Sequence, residues 1–118
     1  MRIVPYCSIV LCVLLASLWT IDAIAQGQTL NAKFCNLKEC HGHDPATAAI
    51  GGPAKIKCTK ATTDFYGNPK QGPGCVISAP GVALQIKPGE TVGASGAGTV
   101  VLTCWGTGNR LTCSAEVN

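Results

Sequence analysis

The chain has 118 residues, 47% of them hydrophobic and 13% charged, with a formal net charge of +3 and eight cysteines. A charge this small on one domain gives no basis for a nucleic-acid partner. Two residues each of Phe, Tyr and Trp leave an aliphatic core as the only kind available.

Residues 1–25 read as a secretory signal peptide. Arg2 supplies the positive start, IVPYCSIVLCVLLASLW the apolar stretch, and Ala23 and Ala25 the small residues before cleavage at Gln26. No second apolar run follows, so stable membrane insertion is not expected. Export leaves a single domain, residues 26–118, with Cys35, Cys40, Cys58, Cys75, Cys104 and Cys113. An even set of cysteines in a small exported chain reads as a disulfide framework. The expected location is extracellular or periplasmic.

Short alternating segments follow in chain order. TLNAKFC places Leu30, Ala32 and Phe34 on one face and Asn31 and Lys33 on the other. HDPATAAIGGP reads as a loop, with Pro45 suited to open a helical turn from Asp44 through Ile50. PAKIKCTK sets Ala54, Ile56 and Cys58 against Lys55 and Lys57. YGNPKQGPG is a loop, and CVIS at 75–78 a short strand. GVALQIK points Val82, Leu84 and Ile86 inward, with Lys87 outward. GASGAG reads as a hairpin loop. GTVVLTCW buries Val100, Leu102 and Cys104 and turns Trp105 outward; RLTCSAEV buries Leu111, Cys113, Ala115 and Val117. GTGN between the last two is a hairpin connection. About five to seven short antiparallel strands of this kind predict an all-β fold, a small disulfide-stabilised sandwich or a small barrel.

The expected pairing is Cys35–Cys40, Cys58–Cys75 and Cys104–Cys113, the last across two strands of one hairpin. Fifteen pairings exist, and spacing alone does not select among them.

KPGETVGASGAGTVVLTCWG, a Pro-Gly-Glu turn leading into an alternating strand that ends in cysteine, resembles the early strands of immunoglobulin-type domains. The resemblance covers about a sixth of the chain and implies a sandwich. It departs from the pattern at Cys113, which stands too close to Cys104 for the inter-sheet bridge of that family.

Chemistry concentrates in FCNLKECHGHDP. Cys35-x4-Cys40-His41 is a widened form of the spacing that attaches haem. It lacks an evident sixth ligand, since the only Met is Met1 and the only other His is His43. His41, His43 and Asp44 form a candidate zinc or copper site, with no third or fourth ligand indicated by spacing. The simplest reading is a small disulfide loop followed by a polar linker, with no cofactor. Ser78, Ser95 and Ser114 lack the strand-to-helix elbow of a nucleophile, and no carboxylate pair sits in an apolar setting, so catalysis is not expected. Trp105 and the outward lysines Lys33, Lys55, Lys57 and Lys87 are the candidate partner-binding residues, for an extracellular protein or glycan. The whole reads as a small secreted, non-catalytic binding protein of effector, inhibitor, adhesion or antimicrobial type. The alternative is an exported metal- or haem-binding protein.

Overall fold

A computed structural model describes residues 27–118; the leader read at residues 1–25 lies outside the described residues. Nine strands are present among these: β1 Gln28–Cys35, β2 Gly42–Asp44, β3 Ala46–Ile50, β4 Ala54–Thr63, β5 Gly74–Ala79, β6 Val82–Ile86, β7 Thr91–Ala94, β8 Gly98–Trp105 and β9 Arg110–Val117. They form two antiparallel sheets, β2-β1-β9-β4-β7 and β3-β8-β5-β6, which close into no barrel. The fold is the all-β sandwich that the alternation predicts.

The core lies between the sheets. Ile56 of β4, Val117 of β9, Ile77 of β5 and Val100 and Leu102 of β8 are fully buried. Each contributes about 1.5–3 kcal/mol by leaving water. No polar or charged side chain is buried among the described residues.

Strand number exceeds the expected five to seven because three strands lie outside the alternating segments: β2 in the linker after the small disulfide loop, β3 and β7. Residues 46–50 do not turn into a helix. They run as β3 against β8, with Ala48 and Ile50 buried and Thr47 and Ala49 outward. An Ala-rich segment has helical propensity, but the apolar face of β8 offers it a place in a sheet, and burial outweighs propensity. Thr91–Ala94 then forms β7, which takes in Gly93 and Ala94 of the expected glycine loop and buries Val92 and Ala94.

The connections differ more than the strands. GTGN is not a hairpin turn: β8 belongs to the four-stranded sheet and β9 to the five-stranded one. GASGAG likewise links β7 to β8 across the sandwich. The three expected bridges form, with Cα separations of 5.6 Å at Cys35–Cys40, 5.9 Å at Cys58–Cys75 and 5.6 Å at Cys104–Cys113. Cys58–Cys75 joins β4 to β5 and Cys104–Cys113 joins β8 to β9, so both cross between the sheets. Cys113 is therefore not too close for an inter-sheet bridge. A chain that switches sheets in four loop residues sets inward side chains of successive strands face to face.

Leu84 is a second departure. It shares the inward face of β6 with Ile86, yet is 51% exposed, because β6 is an edge strand. Trp105, at the end of β8, lies across Gly74 and donates its indole N–H to the Ile86 carbonyl at 3.4 Å. A Cβ at Gly74 would collide with that indole and with the Ile86 carbonyl. Only glycine leaves room for this crossing.

Candidate functional site

β9 sits at the centre of the five-stranded sheet, between β1 and β4, and the register aligns their outward side chains in rows. Thr29, Glu116, Lys57 and Thr91 make one row; Asn31, Ser114 and Lys60 the next; Asp44, Lys33, Thr112 and Thr62 the third. The register shift between Cys58 and Lys60 is a bulge. Without it, strict alternation would have put Lys60 on the core side. With it, Lys55, Lys57 and Lys60 all face outward from β4. Successive outward residues on one strand stand about 7 Å apart, and β1 and β4 lie two strand spacings, about 10 Å, from each other.

These lysines are exposed and take part in no ion pair among the described residues. Glu116 and Asp44 lie on the same face and offset part of the charge. Between the cations run hydrogen-bonded hydroxyl and amide groups. The Thr62 and Thr112 hydroxyls bond to each other, and the Ser114 hydroxyl donates to Asn31 Oδ1 at 2.6 Å. Lys87 joins this edge through the turn 87–90. Gly89 N–H donates to the Cys58 carbonyl at 2.7 Å, and Cys58 N–H donates to the Glu90 carbonyl at 3.0 Å.

The face ends in a cleft of about 350 Å³. Lys33, Asp44, Arg110 and Thr112 contribute polar groups, the Asp44 carboxylate among them offsetting part of the charge, and Phe34, Leu111 and the Cys35–Cys40 bridge an apolar wall. The small disulfide loop stands over this end of the sheet. Glu39 of the loop meets the Arg110 guanidinium at 3.4 Å, and Asn36 N–H donates to the Asn109 carbonyl at 2.8 Å. The β8–β9 loop is held from its other side by Asp64, whose carboxylate accepts from the N–H groups of Asn109 at 2.9 Å and Arg110 at 3.0 Å. The hydrogen bond from Arg110 N–H is the main cause that holds the Asp64 pKa below its ordinary value.

The expected metal ligands do not converge. In β2, His43 pairs with Phe34 and Asp44 with Lys33, so the imidazole and the carboxylate point to opposite faces of the strand. The His43 ring packs on the Phe34 ring with centroids 4.6 Å apart. Among the described residues no three His, Cys, Asp or Glu side chains gather to hold a metal. The haem reading fails on the sulfurs: Cys35 and Cys40 are bonded to each other, leaving no thiol to add to a vinyl group. Ser95 donates its hydroxyl to the Pro80 carbonyl at 3.2 Å, far from either histidine in the fold.

Trp105 is half-buried and belongs to the other sheet, so the structure does not bring it together with the lysines. It lines a separate hollow of about 240 Å³ with Phe34, His43 and Leu111. The exposed aromatics are instead Phe65 (45%) and Tyr66 (96%) in the β4–β5 loop. Reading the sequence by alternation alone misses Lys60, whose place depends on the bulge, and Arg110, whose place depends on the disulfide loop. No helix among the described residues is long and apolar enough to cross a membrane. No protein-family model matches the chain, and comparison with curated proteins and with solved structures likewise finds no match.

Proposed function

We propose that this is an exported, non-catalytic binding protein that engages an acidic extracellular polysaccharide through the outer face of its five-stranded sheet. The observation that carries the reading is the division of charge between the sheets. β3, β5, β6 and β8 contain no ionisable side chain, whereas β1 and β4 turn Lys33, Lys55, Lys57 and Lys60 outward. Hydroxyl and amide groups between those lysines supply partners for sugar hydroxyls, and separated cations supply charge for carboxylate or sulfate groups. The cleft beside Lys33 and Arg110 gives the flat face a concave end. The leader sequence and three disulfides support an oxidising, extracellular setting.

Retention on an immobilised polyuronate at increasing salt tests this. The wild-type protein is retained at low salt and released as ionic strength rises, because exposed charge contacts are screened. A triple variant, Lys33→Ser/Lys57→Ser/Lys60→Ser, elutes earlier, while Lys70→Ser elutes with the wild type. Equal elution of the triple variant and the wild type refutes the reading. So does equal retention on a neutral glucan.

A further inference from the structure

We infer that Cys35–Cys40 is a thiol–disulfide exchange site, opened by an external dithiol that attacks the Cys40 sulfur. The three bridges differ in their surroundings. Cys58, Cys75, Cys104 and Cys113 are all buried, and their bridges cross the core. Cys40 is the one exposed cysteine among the described residues, while its partner Cys35 is buried. An incoming thiolate therefore has one sulfur within reach.

This bridge also adds least to the fold. Its cysteines are separated by five residues, against nine and 17 in the other two, so it restricts the unfolded chain least. It closes a single 3-10 turn, Lys38–Cys40, which has no buried residue and no side-chain cap. Apart from the bridge, the loop is tied to its surroundings by the Glu39–Arg110 ion pair and by the Asn36 N–H on the Asn109 carbonyl. An ion pair this exposed holds little. β1 pairs with β9 along its whole length and with β2 at its end, without help from the sulfurs. The opened chain keeps its sheets. What it loses is the wall of the cleft that Cys35 and Cys40 line.

The buried sulfur is placed to leave. Leu37 N–H donates to Cys35 Sγ at 3.4 Å, and such a bond strengthens as negative charge gathers on its acceptor. In the first step one thiolate of the dithiol bonds to Cys40 Sγ. The S–S bond breaks, its electron pair passes to Cys35 Sγ, and that sulfur takes a proton from water. In the second step the other thiolate of the dithiol attacks the dithiol's own sulfur in the mixed disulfide. Cys40 leaves as a thiolate and is protonated. The dithiol ends as a cyclic disulfide, oxidised by two electrons, and the protein holds two thiols. The inference concerns sulfur alone and is independent of the polysaccharide reading.

Timed reduction of the full mature chain by dithiothreitol, without denaturant, tests it. Free thiols are alkylated at intervals and located by peptide mass mapping. Cys35 and Cys40 are expected to label together, at least about tenfold faster than the other four cysteines, while far-UV circular dichroism stays unchanged. A second arm tests the direction of attack. With oxidised glutathione, Cys35→Ser takes up one glutathione on Cys40 at least about tenfold faster than Cys40→Ser takes one up on Cys35. Opening of all three bridges at one rate overturns the inference. So does a Cys35–Cys40 bridge that resists until the chain unfolds, or glutathione uptake at Cys35 that equals uptake at Cys40.

Discussion

Replacing Cys58 and Cys75 together by alanine removes one of the two bridges that tie the sheets across the core. The bridge closes a 17-residue separation, for which loss of unfolded-chain entropy corresponds to about 3.1 kcal/mol. Both cysteines are fully buried, so their removal also strips packing from β4 and β5. Cys35 and Cys40 are separated by five residues, which gives about 2.1 kcal/mol by the same relation. Cys35 is buried but Cys40 is exposed, so less packing is lost with that pair. The variants thus rank with Cys58→Ala/Cys75→Ala as the less stable, by 1 kcal/mol or more. For a domain this size, about 3 kcal/mol lowers the melting temperature by about 12–24 °C. Thermal unfolding followed by circular dichroism reads this directly. A larger loss in Cys35→Ala/Cys40→Ala would refute the assignment of the core-crossing bridge.

Three further outcomes follow from particular contacts. Gly74→Ala drives a methyl group into the Trp105 indole; the tryptophan emission shifts to the red and stability falls by about 1–3 kcal/mol in urea titration. Leu102→Ala empties a fully buried position of β8 and costs about 2–5 kcal/mol in the same assay. Asp64 titrates below its ordinary value because its ionised carboxylate accepts two backbone N–H groups. A folded pKa lower than the unfolded one means that its contribution is present above the unfolded pKa and is lost as pH falls through the folded pKa. The amide signals of Asn109 and Arg110 therefore titrate together in the acid range, and Asp64→Asn removes that titration.

The strands and their buried faces were legible in the sequence wherever alternation was strict. Leu111, Cys113, Ala115 and Val117 are buried as their spacing requires, and so are Ala54, Ile56 and Cys58. What alternation cannot encode is which sheet a strand joins. GTGN and GASGAG carry the same chemistry whether the chain turns back on itself or crosses the core, so the inter-sheet character of Cys104–Cys113 was hidden. The bulge at Cys58–Lys60 was hidden for a related reason: a bulge keeps the composition of a strand and changes only its phase, and here that phase places Lys60 outward. Leu84 shows the limit of periodicity in the other direction. Its position is inward by count, and it is exposed because nothing pairs with the far side of β6. For the histidines, chain proximity promised a cluster, and pleating in β2 separates His43 from Asp44.

The polysaccharide reading makes a residue-level demand that one experiment meets. Amide chemical-shift mapping of the labelled protein, titrated with a soluble uronate oligosaccharide, locates the contact without any substitution. The account predicts saturable shifts concentrated at Lys33, Lys57, Lys60, Thr112 and Ser114, with Val76, Val101 and Thr103 on the opposite sheet unmoved. Shifts confined to the four-stranded sheet, or none at any concentration, contradict it.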